Sequence, residues 1–160
     1  MSASGIDPRT FRQTCSKFAT GVTVVTLVGT DGLPHGMTVN SFTSVSAVPP
    51  LVLVCVDHSS NLIWHFRAAT HYCVNVLSNG QQELSNRFAT RGTDRFEGQS
   101  WDRGETGVPL IPDSLAHMEC EIRNSVIAGD HDILIAEVLH IQMSDGAPLV
   151  FFDGGYKELA

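Results

Sequence analysis

A row of small polar side chains between residues 36 and 50 has the spacing to hydrogen-bond a bound molecule. The segment GMTVNSFTSVSAVPP has the hydrophobicity of a β-strand, in which alternate residues share a face. One face would present Thr38, Asn40, Phe42, Ser44 and Ser46. At ~3.3 Å per residue this row would extend over roughly 25 Å, which is long enough to accompany an extended cofactor.

Two interpretations of this row are open. Antiparallel strands commonly have one face in water, and Ser and Thr on such a face require no ligand. The row contains no Lys, Arg, Asp or Glu, however, and small hydroxyl groups allow another molecule to approach closely. The next apolar run, LVLVCV, leads into a second polar cluster, Cys55–Asn61 (CVDHSSN), whose hydroxyl and backbone N–H groups could bind a phosphate.

Other combinations of reactive residues are weaker. His58, His65 and His71 are close in sequence, but the spacing typical of zinc sites is missing, so no metal is expected. Asp57, His58 and Ser59 are the residue types of a hydrolase triad, yet neighbours on an extended chain point apart and cannot form its geometry. The sequence lacks a Walker loop, a G-x-S-x-G and a G-x-G-x-x-G motif, so a dinucleotide would bind without a Rossmann unit.

Length and composition predict one folded domain over residues 1–160. The net charge of −7, with ten Lys and Arg residues, argues against binding to a nucleic acid. The four cysteines show no C-x-x-C spacing and three lie in apolar runs, so we expect small buried residues of a reduced, cytoplasmic protein. The longest apolar run, Leu51–Val56, is too short to cross a membrane, and no signal peptide is evident.

Periodicity and turn residues predict a small antiparallel β-barrel with peripheral helices. Asp7 and Pro8 begin a helix that places Phe11 and Phe18 on one face and that Gly21 ends. Further helices are predicted at 61–69 and 81–89, and strands at 22–29, 36–47, 51–56, 72–77, 116–126, 133–143 and 149–152. The strand at 51–56 is expected to be buried on both faces, and residues 90–112 to form a long ordered loop. So few helices favour a closed antiparallel sheet over a repeating βαβ fold.

Five motif-bearing segments follow one another along nearly the whole chain. They are FATGVTVVT (18–26), GMTVNSFTSVSAVPP (36–50), NVLSNGQQELSNRFA (75–89), GDHDILIAEV (129–138) and PLVFFDGGYKEL (148–159). Each is weak alone, but five in this order form a specific signal. In these segments the chain resembles the short flavin reductases of two-component monooxygenases, which belong to the FMN-binding split-barrel superfamily.

The resemblance implies a mainly β, Greek-key-like split barrel that forms a homodimer and uses NADH or NADPH to reduce FMN or FAD. The reduced flavin then passes to a separate flavin-dependent oxygenase. By the same resemblance, the flavin ring and ribityl chain meet Thr38, Val39, Asn40 and Ser41, with Ser44 and Ser46 nearby. The ribityl chain and phosphate continue along Cys55, Val56, Asp57, His58, Ser59, Ser60 and Asn61, and the phosphate end is held by Arg87, Phe88 and Ala89.

The resemblance also assigns residues to the pyridine-nucleotide side. His131 would lie where the nicotinamide enters and would position it by stacking, because hydride passes directly between the two cofactors. A histidine that only hydrogen-bonds within its own turn is the alternative. Tyr156 and Phe152 are expected at the nicotinamide side, in a dimer contact, or simply in packing. Asp153 stands where the family often has a basic residue, which puts one contact with the pyridine nucleotide in question.

Two other functions are compatible with the sequence. A flavin-binding or carrier barrel without efficient NAD(P)H turnover would explain the missing cation at Asp153. A barrel of the pyridoxamine-phosphate-oxidase or haem-binding type would require more basic phosphate ligands than this acidic chain supplies. The sequence does not distinguish FMN from FAD, NADH from NADPH, or one oxygenase from another.

Overall fold

The computed structural model describes residues 4–160 as a curved antiparallel sheet with three short helices. The helices are α1 (Pro8–Cys15), α2 (Ile63–Ala68) and α3 (Gln82–Ala89), and a 3-10 turn at Asn79–Gln81 precedes α3. The strands are β1 (Thr20–Gly21), β2 (Thr23–Val28), β3 (Pro34–Val39), β4 (Thr43–Ala47), β5 (Pro50–Asp57), β6 (His71–Val76), β7 (Asp102–Arg103), β8 (Pro109–Leu110), β9 (Ala116–Ala128), β10 (His131–Met143), β11 (Val150–Phe152) and β12 (Gly155–Lys157).

The main sheet is a barrel with an open seam between its two edge strands. Seven strands pair antiparallel in the order β3-β2-β6-β9-β10-β5-β4, so β3 and β4 lie at opposite edges. Only Asn40, Ser41 and Phe42 connect these two strands, and a connection of this length reaches at most about 14 Å. The sheet must therefore curl until its edges approach each other, as the predicted split β-barrel requires.

The predicted single strand at 36–47 is divided by this seam. β3 ends at Val39 and pairs with β2, whereas β4 begins at Thr43 and pairs with β5. A register shift between Ser44 and Ser46 bends β4 further. The expectation that one straight face carries the polar row was therefore wrong, because the chain changes its pairing partner at Asn40.

Alternate residues of β5 point into the barrel. Val52, Val54 and Val56 are at most 5% exposed and belong to the main core cluster. Leu51, Leu53 and Cys55 point the other way and are half-buried, and Cys55 Sγ has no disulfide partner. The prediction that this strand is buried on both faces is wrong for a single chain.

Helix α1 begins as predicted but ends early and lies on the surface. Asp7 caps it, since its Oδ2 accepts the backbone N–H of Thr10 at 3.0 Å. The helix ends at Cys15, well before Gly21. Phe11 is 59% exposed and none of the helical residues is buried, so periodicity identified the apolar face but nothing in the described chain covers it.

The C-terminal segment holds the end of α1 in place. Asp153 accepts a 2.7 Å salt bridge from Lys17, and its backbone N–H donates to the Ser16 carbonyl at 2.8 Å. The Lys17 ammonium lowers the pKa of the Asp153 carboxyl. Asp153, at the position where a basic residue was expected, is thus part of a structural pair.

The remaining elements differ from the predictions in detail. The predicted loop at 90–112 contains the short hairpin β7–β8, and the C-terminal hairpin gains the additional strand β12. Cys73 and Cys120 are buried as predicted, but Cys15 is exposed. Among residues 4–160, no helix has both the length and the apolar character needed to cross a membrane.

Candidate functional site

A cavity of about 210 Å³ lies between β3, α3 and the C-terminal hairpin. It is lined by Val22, Thr38, Val39, Asn40, Ser85, Ala89, Phe151 and Tyr156. Four of these residues were predicted to bind flavin and Tyr156 was expected at the nicotinamide side, and the five come from three distant parts of the sequence. We call this space the Tyr156 cavity.

Hydrogen bonds fix the walls of the Tyr156 cavity. Thr38 Oγ1 donates to the carbonyl of Ser85 at 2.6 Å, which joins β3 to α3. Tyr156 Oη donates to Asn86 Oδ1 at 3.0 Å and accepts from Ser85 Oγ at 2.7 Å, because the phenol has a single proton to give. The Thr38 and Tyr156 hydroxyls are therefore engaged in shaping the cavity, while the Asn40 side chain is exposed at its edge.

Ser41 closes the seam of the barrel against β5. Its Oγ accepts the backbone N–H of Cys55 at 3.0 Å and lies 3.3 Å from the Cys55 carbonyl, to which it donates. The Ser41 side chain thereby extends the β4–β5 pairing by one hydrogen-bonded position before the first residue of β4. Ser41 is next to the predicted flavin surface, but its hydroxyl serves the backbone.

The predicted phosphate segment lies beside His131. Asp57, the last residue of β5, is paired with His131, the first residue of β10, and the His58 backbone N–H donates to the Asp130 carbonyl at 2.9 Å. His131 Nδ1 lies 2.7 Å from Asp130 Oδ1. A carboxylate oxygen only accepts, so Nδ1 carries the proton, and Nε2 makes no hydrogen bond to residues 4–160. The orientation of the His131 ring is thus fixed through Nδ1, and Nε2 is free to accept a hydrogen bond from a ligand.

Arg91 adds an exposed cation to this group. Its Nη2 donates to Ser59 Oγ at 3.1 Å, and its Nη1 lies 3.4 Å from the Ser59 carbonyl. The Ser59 backbone N–H donates in turn to Asp57 Oδ1 at 2.7 Å, which lowers the pKa of that carboxyl. A guanidinium and a hydroxyl at one exposed point can bind a phosphate.

The buried carboxylate of Asp132 holds the turn that contains His58. Asp132 is 2% exposed and accepts from Arg67 Nε at 2.7 Å and Nη2 at 3.1 Å. Its Oδ1 also lies 2.8 Å from His58 Nε2. These partners, Arg67 foremost, lower the pKa of Asp132 to about 2. His58 Nε2 is therefore engaged by Asp132, which fixes the orientation of the His58 ring.

Arg87 does not occupy the expected position at the phosphate end. Its Nε donates to the Arg95 carbonyl at 2.7 Å, and its Nη2 donates to the Glu97 carbonyl. It lines a separate cleft and contacts neither Ser59 nor the other residues of the phosphate segment. In this structure the Arg87 guanidinium supports the loop that follows α3, and its expected phosphate contact stays a prediction.

The side chains of several other predicted site residues are not available to a ligand at the candidate site. Phe88 and Val56 are 0% and 1% exposed, so their side chains belong to the core. Ser60 Oγ accepts the backbone N–H of Leu62 at 3.2 Å, which forms a local turn just before α2. Ser44 and Ser46 lie on the edge strand β4 and line none of the cavities described here.

Sequence reasoning missed Arg91. It stands two residues after Ala89, in the sequence T-R-G, just outside the R-F-A motif that drew attention to Arg87. The available signal was its position directly after the end of α3, in a Gly-containing turn. Only the folded structure shows which of the two arginines faces Ser59.

One group of potential metal ligands occurs within residues 4–160: Asp31, His35 and His65, with ligand atoms within 4.8 Å of one another. His35 Nε2 lies 2.8 Å from Asp31 Oδ2, and His65 Nδ1 accepts the Thr30 backbone N–H at 3.1 Å. The two imidazoles stack with centroids 4.2 Å apart and an angle of 18°. An ion cannot lie in the planes of two nearly parallel rings, so we assign this group to hydrogen bonding and stacking.

The fold defines a class of protein: a split β-barrel with polar side chains at its seam. Residues 15–160 match the family described as "Flavin reductase like domain". The chain belongs to this family. The recognition, the split-barrel fold and the flavin reductase class predicted from the sequence are thus confirmed.

Similar proteins agree with this assignment. The FMN reductase (NADH) SmoA of Agrobacterium fabrum is 46% identical over 152 residues, which cover 95% of this chain and 86% of SmoA. HsaB, the reductase subunit of a flavin-dependent monooxygenase in Rhodococcus jostii, is 36% identical over 98% of this chain and 80% of its own length. The solved structure of the Streptomyces globisporus NADH:FAD oxidoreductase SgcE6, in complex with NAD and FAD fragments, gives a TM-score of 0.90 at 38% identity, covering 97% of this chain and 96% of SgcE6.

Some relatives are longer. A Rhizobium meliloti relative is 43% identical over 98% of this chain, yet the chain spans only 50% of that protein. The match therefore concerns the barrel domain of that longer relative.

Proposed function

We propose that this chain reduces FMN or FAD with NADH or NADPH and supplies the reduced flavin to a separate flavin-dependent oxygenase. One observation carries the proposal: a single segment joins the two halves of the site. Ala89 lines the Tyr156 cavity, and Arg91, two residues later, contacts Ser59 beside Asp57 and His131. A molecule that enters the cavity can therefore extend to a phosphate-binding cation without leaving the barrel surface.

The residues present fit a flavin nucleotide. β3 is an edge strand, so the backbone groups on its seam side have no ladder partner in the main sheet. Such unpaired N–H and C=O groups, together with the exposed Asn40 amide, match the donors and acceptors on the edge of a flavin ring. Arg91 and Ser59 supply charge-assisted hydrogen bonds for the phosphate.

The protein side of the reaction is positioning. The flavin and the reduced nicotinamide would themselves supply the hydride transfer, so no protein group has to remove a proton for it. His131 orients the nicotinamide with its ring and its free Nε2, while Asp130 fixes the tautomer through Nδ1. Asp132 holds the adjoining turn through His58 and Arg67. Tyr156 and Ser85 form the rigid wall against which the flavin packs.

We further propose a homodimer that uses the outer face of β5 and β10. Leu51, Leu53, Cys55, Ile133 and Ile135 are half-buried on this face, opposite the barrel core. A contiguous apolar sheet surface of this kind is typical of subunit interfaces. The cytoplasmic location and the single domain over residues 1–160 stay predictions.

Flavin-dependent NADH oxidation tests the proposed function. The purified chain is mixed with NADH in air, with FMN, with FAD or without flavin, and NADH absorbance is followed; NADPH replaces NADH in parallel. We expect consumption only when flavin is present. A chain that binds flavin but consumes neither nucleotide is the carrier barrel, and that result would overturn the reductase proposal.

A further inference from the structure

A second cavity, of about 370 Å³, lies next to the phosphate segment and is not used by the function proposed above. Asn61 of the predicted flavin segment forms one side, and Thr93 and Arg95 form another. Thr93 follows Arg91 by two residues, so the segment that leads out of the Tyr156 cavity continues into this one. We call it the Arg95 cavity.

Arg95 is a buried cation that has one unused hydrogen-bond donor. It is 9% exposed, and its Nε and Nη1 donate to the carbonyls of Thr90 at 2.9 Å and Gly36 at 2.7 Å. Its Nη2 makes no hydrogen bond to residues 4–160, and no carboxylate there forms a salt bridge with it. Burial lowers the pKa of this guanidinium. A desolvated guanidinium with an unused N–H group favours a ligand rich in acceptor atoms.

Flat rings form part of the remaining wall of the Arg95 cavity, beside the aliphatic residues Leu33, Pro34 and Leu62 and the carboxylate residue Asp94. His35 and His65 are stacked at 4.2 Å, and both are fixed, His35 by Asp31 and His65 by the Thr30 backbone N–H. The Trp101 indole lines the cavity as well and packs edge-on against Phe96 at 6.3 Å. Planar, preoriented side chains of this kind stack on nucleobases.

We propose that the Arg95 cavity binds the adenosine diphosphate moiety of a dinucleotide, with the purine against its ring walls and an acceptor atom on Arg95 Nη2. FAD and the pyridine nucleotides both carry this moiety. The inference rests on the proposed function, because it places the cavity directly beyond the flavin phosphate. That position makes FAD the expected source, and FAD then binds more tightly than FMN.

Equilibrium binding distinguishes the sources. Calorimetric titrations of the intact chain with FAD, FMN, NADH and ADP give four dissociation constants, and ADP is then tested as a competitor of each nucleotide. We expect FAD to bind at least about tenfold more tightly than FMN, in line with ~1–3 kcal/mol for one stacked base. ADP carries the phosphate that FAD shares with FMN, so it should compete with FAD and, through that phosphate, with FMN. AMP lacks that phosphate, and it should compete with FAD alone. Competition with NADH instead of FAD would keep the purine site but assign it to the pyridine nucleotide.

The two tryptophans provide matched variants. Trp101→Leu removes a cavity wall and should bring the FAD affinity down to that of FMN, with FMN affinity unchanged. Trp64→Leu is the control, because Trp64 is 70% exposed on α2 and does not line the cavity. Thermal unfolding of both variants reports any loss of fold. The ratio of the FAD and FMN dissociation constants and the ADP competition are both measured on the wild-type chain. They therefore test the inference even if a variant fails to fold.

One result would overturn the inference: no ADP competition with either FAD or NADH. Equal affinity of the wild-type chain for FAD and FMN would rule out FAD as the occupant and, without competition against NADH, would overturn the inference as well. Neither would affect the proposed function, which FMN-dependent oxidation of NADH tests separately. Absence of both FMN binding and NADH oxidation, in contrast, would remove the proposed function itself.

Discussion

His131 and Asp57 are paired residues at the ends of the neighbouring strands β10 and β5. This register brings the histidine expected at the nicotinamide side beside the segment expected at the flavin phosphate. The hydrogen bond from the His58 backbone to the Asp130 carbonyl ties the two turns together. The relative position of these residues is thus set by strand pairing, which is a rigid way to hold a binding surface.

Replacement of His131 tests its positioning role. His131→Ala should lower kcat/KM for NADH roughly tenfold or more, because a poorly oriented nicotinamide seldom reaches the flavin in a reactive geometry. Flavin affinity, measured by fluorescence titration, should not change. His140→Ala is the control, since His140 lies at the exposed far end of the same strand. Unchanged NADH kinetics in His131→Ala would show that this ring only satisfies its turn.

Two arginines close in sequence should behave differently. Arg91→Ala is expected to weaken flavin binding roughly tenfold to a hundredfold, because it removes charge-assisted hydrogen bonds to the phosphate. Arg91→Lys should recover part of that affinity. Arg87→Ala should leave the flavin dissociation constant unchanged within about twofold but lower the free energy of unfolding by about 1–2 kcal/mol, since two loop carbonyls lose their donor. The opposite ranking would return the phosphate role to Arg87.

The Asp132 cluster should make stability depend on pH in an acidic range. The pKa of Asp132 is about 2 in the folded chain, lowered from an ordinary value of 3.8. Its stabilising effect is therefore complete above about pH 4 and is lost as pH falls toward about 2. Asp132→Asn should lower the free energy of unfolding near neutral pH by about 2–3 kcal/mol and flatten the pH dependence between these values. Urea unfolding at a series of pH values measures both effects; an unchanged slope in the variant would contradict the assignment.

Local sequence patterns predicted the helices and strands whose conformation depends on residues adjacent in the sequence. Asp7 and Pro8 begin α1, and the β-branched run at 23–28 forms β2, as expected from capping and from the β-branched composition. The break at Asn40 could not be foreseen in this way. It arises because β3 and β4 pair at opposite edges of the sheet, which is a property of the whole barrel.

The candidate site was predictable by segment but not by side chain. Residues 38–40 line one cavity, and His131 is paired with Asp57 at the start of the predicted phosphate segment, so the segments of the motif order recur in the candidate site. Arg87 is hydrogen-bonded to the Arg95 and Glu97 carbonyls, whereas Arg91 contacts Ser59. Those two carbonyls belong to a loop that no sequence motif marks, so the different contacts of the two arginines could not be predicted. Hydroxyl groups such as those of Thr38 and Ser41 looked free in the sequence, yet distant backbone groups use them.

The proposed dimer face can be disrupted by one charge. Leu53→Glu should shift the chain from dimer to monomer, because an unpaired carboxylate cannot be buried between two apolar sheets without a large desolvation cost. Light scattering after gel filtration, over a range of concentrations, gives the mass. Leu159→Glu is the control, since Leu159 is 68% exposed and outside the sheet. A wild-type chain that is monomeric at all concentrations would overturn the proposed interface.

Gly104 should be sensitive to the smallest possible side chain. A Cβ at this position would lie 2.6 Å from the carboxyl carbon and both oxygens of Glu119. That carboxylate is buried, which by itself would raise its pKa, but hydrogen bonds from Thr106 and Glu105 lower it and anchor the β7–β8 hairpin. Gly104→Ala should therefore displace the hairpin and cost about 1–3 kcal/mol of unfolding free energy.

A second glycine provides the control for this prediction. The Cβ position of Gly80 has no heavy atom within 4 Å, so Gly80→Ala should be neutral or slightly stabilising. Trp101 immediately precedes β7, and its fluorescence in a Trp64→Phe background reports whether the hairpin has moved. Equal stability and equal emission in Gly104→Ala and Gly80→Ala would mean that the Glu119 carboxylate can move aside freely. The anchoring of the β7–β8 hairpin by Glu119 would then be wrong.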